Sequence, residues 1–213
     1  VSLNKLCVAL DCDLVTARNV IKLLQGRVGC FKVGMQFFYK HGPYVYEQLA
    51  DCGTPVFLDL KLHDIPNTVA RGIEALMHLH PAPAILTVHA AGGPEMLRFA
   101  RLAAPPPTKL VAVTVLTSDF PDEDRVVRMA ADAAHAGLDG VVCPGNAITA
   151  VRDLFPDMMV VVPGIRSARE ETHDQLQVMT AAEALHRGAS LLVVGRPVVQ
   201  AKDPFEAVLQ LFA

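Results

Sequence analysis

Val56-Phe57-Leu58-Asp59-Leu60-Lys61 is the stretch on which the fold turns. Strand side chains alternate between two faces, so Phe57, Asp59 and Lys61 share one side and Val56, Leu58 and Leu60 the other. The second face is aliphatic, as packing against helices requires. The first carries a carboxylate and an ammonium, which are costly in a water-poor interior unless paired or used. Seven further β-branched apolar runs occur at Leu6–Asp11, Gly29–Gly34, Ala84–His89, Leu110–Thr117, Gly140–Cys143, Met159–Gly164 and Leu191–Gly195. Their ends fall 20 to 32 residues apart, which leaves room for one helix and two loops in each interval.

Helices are predicted over Thr16–Leu24, Tyr39–Asp51, Ile65–Leu79, Glu95–Ala103, Glu123–Ala136, Ala147–Phe155, Thr180–Arg187 and Pro204–Phe212. Asp122 is placed to cap the fifth and Gly137 to end it, and Gly188 stops the seventh after His186 and Arg187. Eight parallel strands, each followed by a helix, close into a (β/α)8 TIM barrel. A doubly wound sheet would instead show a glycine-rich turn after its first strand, where this chain has Ala9-Leu10-Asp11-Cys12-Asp13. Pro105, Pro106 and Pro107 do not disturb the spacing, so one compact α/β domain over residues 1–213 is expected, without long lids.

Composition agrees. The 213 residues are 52% hydrophobic and 19% charged, with a formal net charge of −3, which argues against a disordered chain or a nucleic-acid binder. The longest stretch without Asp, Glu, Lys or Arg, Ala75 to Pro94, holds three histidines and is broken by prolines and glycines, so no membrane span is expected. Val1 to Leu10 shows no export signal, and its missing Met suggests a processed or trimmed start. Cys7, Cys12, Cys30, Cys52 and Cys143 form no Cys-x-x-Cys pair and read as reduced core thiols, which suits a cytoplasmic location.

In such a barrel the active site lies where the strands end. Lys32 in Cys30-Phe31-Lys32-Val33-Gly34 and Asp11 at the first strand end join Asp59 and Lys61, and Asp64 follows three residues later. These five place both signs of charge at one rim, where the carboxylates keep Lys61 protonated and able to act as an acid. The bland alternative is an ion-pair network without chemistry. Val162-Pro163-Gly164-Ile165-Arg166 and Val193-Val194-Gly195-Arg196-Pro197 end the last two strands, where barrels often bind phosphate; Arg166 and Arg196 supply forked donors. Alternatively they are surface arginines at strand ends. The polar loop 167–174 before Gln175 could close on a ligand. His89, at an inner strand end, reads as a satisfied core or rim histidine, the alternative being a hydrogen bond that supports a site residue; His78 and His80 do not share a helical face, so no metal is assigned to them.

The run Leu58-Asp59-Leu60-Lys61-Leu62-His63-Asp64-Ile65-Pro66-Asn67-Thr68-Val69 resembles the signature of the orotidine 5′-phosphate decarboxylase family, in its bacterial single-domain form. Ala9-Leu10-Asp11, Lys32-Val33-Gly34, Val88-His89-Ala90, Val115-Leu116-Thr117-Ser118, Pro163-Gly164-Ile165-Arg166, Asp174-Gln175 and Val194-Gly195-Arg196-Pro197 follow in the family's order over the whole chain. Asp-x-Lys-x-x-Asp alone is shared with sugar-phosphate lyases of a wider superfamily; the Ile-Pro-Asn-Thr and Pro-Gly-Ile-Arg extensions are more specific.

The resemblance implies decarboxylation of orotidine 5′-phosphate to UMP without cofactor or metal. It makes Lys61 the proton donor to C6, Asp59 its charged neighbour, Lys32 a holder of the ribose and the charge network, and Asp11 a ribose ligand. It implies a homodimer in which Asp64 and Thr68, with the intervening Ile65 beside the substrate, reach the other subunit's site. Thr117 would lie near the base, and Gln175, Gly195 and Arg196 would grip phosphate beside Arg166. The chain departs from the family at Gln177, often basic there, and at Ala181, often proline, both in the stem of the closing loop. Rival readings are a lyase holding Mg²⁺ on Asp11, Asp59 and Asp64, a catalytically silent nucleotide-binding barrel, and a Schiff-base aldolase using Lys61.

Overall fold

Strand β1 (Leu6–Ala9) pairs in parallel with β2 (Cys30–Gly34) on one side and with β8 (Leu191–Val194) on the other, so the sheet has no free edge. The remaining strands, β3 (Val56–Leu62), β4 (Ile85–His89), β5 (Lys109–Val113), β6 (Gly140–Val142) and β7 (Met159–Val162), follow in chain order around a closed parallel barrel. The computed structural model describes residues 3–116, 122–166 and 179–212. Around the barrel lie α1 (Leu14–Leu24), α2 (Met35–Ala50), α3 (Pro66–Leu76), α4 (Gly93–Ala103), α5 (Glu123–His135), α6 (Ile148–Leu154), α7 (Ala181–His186), α8 (Arg196–Val199) and α9 (Pro204–Gln210). Among the described residues no helix is long and apolar enough to cross a membrane.

The period-two reading of the strands holds. Val56, Leu58 and Leu60 belong to the large core between barrel and helices, whereas Phe57 belongs to a smaller core inside the barrel with Cys7, Ala9, Cys30 and Ile85. Cys7, Cys30 and Cys143 are buried, and all five cysteines are free thiols. Small residues at several inward positions let the strands close tightly. Outward, Leu58, Leu86 and Leu110 are fully buried, each gaining roughly 1.5–3 kcal/mol over an exposed side chain.

Helix punctuation follows the local signals. The Asp122 side chain accepts the Asp124 N–H at 3.1 Å at the start of α5, and Gly137 takes φ +76° just past its end, where a side chain would be strained. Several boundaries differ from expectation. β1 ends at Ala9 rather than Asp11, β5 at Val113 before Thr117, which lies outside the described residues, and β7 at Val162 rather than Gly164; single backbone hydrogen bonds, Leu10 N–H to the Lys32 carbonyl and Thr114 N–H to the Val142 carbonyl, carry the pairing just beyond β1 and β5. α2 starts at Met35, directly on β2 and with no side-chain cap, and kinks at Gly42 (φ +73°) and Pro43. α3 ends at Leu76 rather than Leu79. The one-turn α8 was not expected, since Pro197 at its second position masks so short a helix.

Candidate active site

Lys32 is the hub of the rim on β2 and is only 9% exposed. Its Nζ lies 3.3 Å from Asp11 Oδ2 and 3.3 Å from Asp59 Oδ2. Asp59 Oδ2 in turn lies 2.7 Å from Lys61 Nζ. Asp11, Lys32, Asp59 and Lys61 therefore alternate in sign along one connected chain. Burial by itself would push the Asp59 carboxyl up, but Lys32 and Lys61 outweigh it and hold it below the usual carboxylate range. Burial likewise works against the Lys32 cation, and the carboxylates of Asp59 and Asp11 prevail and raise it. Each buried charge is thus kept by the others.

Backbone shape makes this arrangement possible. Lys61 has φ +48°, the left-handed region that a non-glycine residue seldom occupies, and the β3–β4 register shifts between Leu58 and Leu62. Thr87 on β4 sits at that irregularity with its side chain buried. Its Oγ1 accepts the Lys61 N–H at 2.9 Å and donates to Asp59 Oδ1 at 3.0 Å. Gly34 leaves room on the other side: a Cβ there would stand 2.8 Å from Asp11 Oδ1 and 3.1 Å from Lys32 Nζ.

Across the barrel mouth, Gly164 takes φ +80° after β7, and Arg166 beyond it is only 5% exposed. Arg166 Nη1 donates to the Ile165 carbonyl at 3.0 Å, and its backbone N–H donates to the Met179 carbonyl at 3.1 Å. Gly195 caps α8, whose first residue is Arg196. Asp11, Lys32, Asp59, Lys61, Arg166, Gly195 and Arg196 all line one cavity of about 420 Å³, a volume typical of small-molecule sites. Val113, Val142, Val161 and Val193 form its apolar wall.

Three of the expected residues stand elsewhere. Asp64, Ile65 and Thr68 are exposed on the segment after β3 and do not line the cavity of their own chain; Asp64 Oδ1 accepts the Ile65 N–H at 2.6 Å. Four of the five rim charges therefore meet in this chain, and Asp64 does not join them. Thr117, Gln175 and the loop 167–174 lie outside the described residues. His89 Nδ1 accepts the Ala91 N–H at 3.2 Å and its ring stacks on His63 at 5.3 Å, as a rim histidine engaged in its own loop would.

Sequence reasoning passed over Thr87, Gln36 and Cys143, of which the last two line the cavity. The inward parity of Ile85, Thr87 and His89 could have found Thr87, and Cys143 at the end of the β6 run could have been found by position. Nothing local marks Gln36. Among the described residues no three His, Cys, Asp or Glu side chains group to hold a metal, and the Lys32 ammonium lies between Asp11 and Asp59 where a shared cation would sit.

Fold and rim together define a (β/α)8-barrel protein whose mouth presents a lysine–carboxylate chain on one side and two arginines on the other. The sequence model of the orotidine 5′-phosphate decarboxylase / HUMPS family matches residues 4–211, and the chain belongs to that family. It is 47% identical over 215 residues to the orotidine 5′-phosphate decarboxylase of Sphingopyxis alaskensis, covering 96% of this chain and 93% of that one. The enzyme of the same name from Erythrobacter litoralis is 43% identical, over 99% and 98% of the two chains. Among solved structures, orotidine 5′-phosphate decarboxylase of Lactobacillus acidophilus superposes with a TM-score of 0.82 at 35% identity, over 97% of this chain and 96% of that one.

Proposed function

We propose that the protein decarboxylates orotidine 5′-phosphate to UMP and CO2, the last step of UMP biosynthesis. The observation that carries the reading is the Asp11–Lys32–Asp59–Lys61 chain facing Arg166 and Arg196 across one cavity. In this reaction the bond from C6 to the carboxylate breaks and its electron pair stays on C6. No cofactor receives those electrons, so the site must stabilise the carbanion electrostatically and protonate it. The Lys61 ammonium is suited to both tasks, and Asp59, itself paired with Lys32, holds it in place.

Asp11 and Lys32 then bind the ribose, and Gly195, Arg196 and Gln175 grip the phosphate beside Arg166, with Thr117 near the base. Binding energy from the distant phosphate would serve to organise the site and close loop 167–174. The exposure of Asp64, Ile65 and Thr68 supports a homodimer in which each chain completes its partner's site, with Asp64 disfavouring the substrate carboxylate. A cytoplasmic, single-domain enzyme acting on a soluble nucleotide accords with five free thiols.

The test is the absorbance change of orotidine 5′-phosphate with purified protein in EDTA. Rapid conversion to UMP is expected. No conversion of orotidine 5′-phosphate, with or without Mg²⁺, together with Mg²⁺-dependent cleavage of a sugar phosphate would favour the sugar-phosphate lyase reading, and UMP binding without turnover would leave a silent nucleotide-binding barrel. Borohydride trapping of a Lys61 adduct would point to an aldolase instead.

A further inference from the structure

We propose that Thr87, an uncharged residue outside the cavity lining, is a positioning residue that sets the geometry of Lys61 and Asp59 through one hydroxyl. Where β3 slips against β4, the Lys61 N–H has lost a regular ladder partner, and Lys61 itself is held at φ +48°. Orphaned buried amides and left-handed non-glycine residues persist only where the surroundings compensate them. The fully buried Thr87 hydroxyl does so from one atom. Its oxygen accepts the Lys61 N–H at 2.9 Å, and its proton goes to Asp59 Oδ1 at 3.0 Å.

The consequence for Asp59 is a division of labour between its oxygens. Oδ1 takes the Thr87 proton, which leaves Oδ2 for both ammonium groups, at 2.7 Å from Lys61 and 3.3 Å from Lys32. A carboxylate free to rotate would lose that registry. Thr87 thus ties main chain and side chain of the same lysine: its backbone directly, its ammonium through Asp59. A hydroxyl with one donor and available lone pairs is the smallest group able to make both bonds from a β-branched strand position.

This inference rests on the proposed decarboxylation for its kinetic test, which compares wild type, Thr87→Val and Thr87→Ser. Valine keeps the branched shape and deletes both hydrogen bonds. With the hydroxyl gone, kcat should fall about 30- to 100-fold while KM stays within about threefold, because substrate contacts are untouched and only the acid is misplaced. Serine should restore kcat to within about threefold of wild type. If the valine variant does not fold, Thr87→Cys replaces it against serine, since a thiol of similar size is a poor hydrogen-bond partner.

A kcat in the hydroxyl-free variant within threefold of wild type would overturn the proposal, as would a loss that serine does not relieve. An equal rise in KM would also overturn it by showing general damage to the site. Hydrogen exchange at the Lys61 amide needs no turnover and should quicken at least about tenfold in Thr87→Val and little in Thr87→Ser. An unchanged rate overturns the inference even if the wild type proves inactive on orotidine 5′-phosphate, so the two failures are separable.

Discussion

The two ends of the barrel anchor their inward charges differently. At the end where strands begin, Arg152 donates to the carbonyls of Gly188, Met158 and Pro156 and to Ser190 Oγ. Arg101 pairs with Asp139, whose Oδ2 accepts the Leu110 N–H at 2.7 Å. Arg152 thus ends mostly on main chain, and the Arg101–Asp139 pair is itself tied to main chain at the Thr108 carbonyl and the Leu110 N–H, so these charges staple neighbouring strands. At the end where strands finish, Lys32, Asp59 and Lys61 end on one another and face a cavity. Charge anchored to backbone, paired or not, holds the fold, whereas charges linked to one another around a cavity are placed to act on what enters.

The sharpest way to break that comparison is a pair of variants measured for both activity and stability. Lys61→Ala should lower kcat by about 10⁴-fold or more, since the proposed proton donor and its positive charge leave together. Its melting temperature should stay within a few degrees, because Asp59 keeps Lys32 and Thr87 as partners. Arg152→Met should do the reverse: a loss of about 2–4 kcal/mol, or about 5–12 °C in melting temperature, with kcat unchanged below the transition. Similar stability losses in both variants would erase the distinction.

A smaller effect is expected at Gly34. Gly34→Ala places a methyl against Asp11 Oδ1 and Lys32 Nζ, both mobile ends of side chains, and its φ of −89° adds no backbone strain. Asp11 should yield, raising KM about tenfold with kcat within about threefold. A larger fall in kcat than rise in KM would mean that Asp11 governs the chemistry rather than binding.

The smallest expected effect is that of pH. Asp59 is lowered in the fold, so its stabilisation is complete above the unfolded carboxyl value of about 3.9 and is lost as pH falls through the folded value. Lys32 is raised, so its stabilisation is complete below about 10.4 and is lost as pH climbs through the folded value. Between pH 5 and 9, roughly the interval these values bracket, neither group should produce a step in melting temperature or kcat. A step in that interval that vanishes in Asp59→Asn would contradict the coupled array.

Much of this is legible in the amino-acid sequence. Eight β-branched runs at helix-sized intervals leave few arrangements for a parallel sheet, and period two assigned Phe57 and Asp59 to the interior and Val56, Leu58 and Leu60 to the outer core. Boundaries were less legible where function intrudes. Asp11, Thr117 and Gly164 read as strand ends because apolar runs lead into them, but β1, β5 and β7 stop earlier, at Ala9, Val113 and Val162. The start of α2 was hidden because it follows β2 with no capping side chain.

The alternation, the number of strands and which charged residues lie at or just beyond their ends follow from local period and side-chain chemistry, and so can be read from the amino acids alone. Only tertiary structure decided what those residues meet. Barrel closure sets the register of β3 against β4, and the slip there brings Thr87 under Lys61 and turns that lysine to a positive φ. The same closure gathers Lys32 from β2, Asp59 from β3 and Asp11 from just beyond β1, and leaves Asp64 outside their cavity. No local pattern carries that information, because register and convergence are properties of segments far apart in the chain.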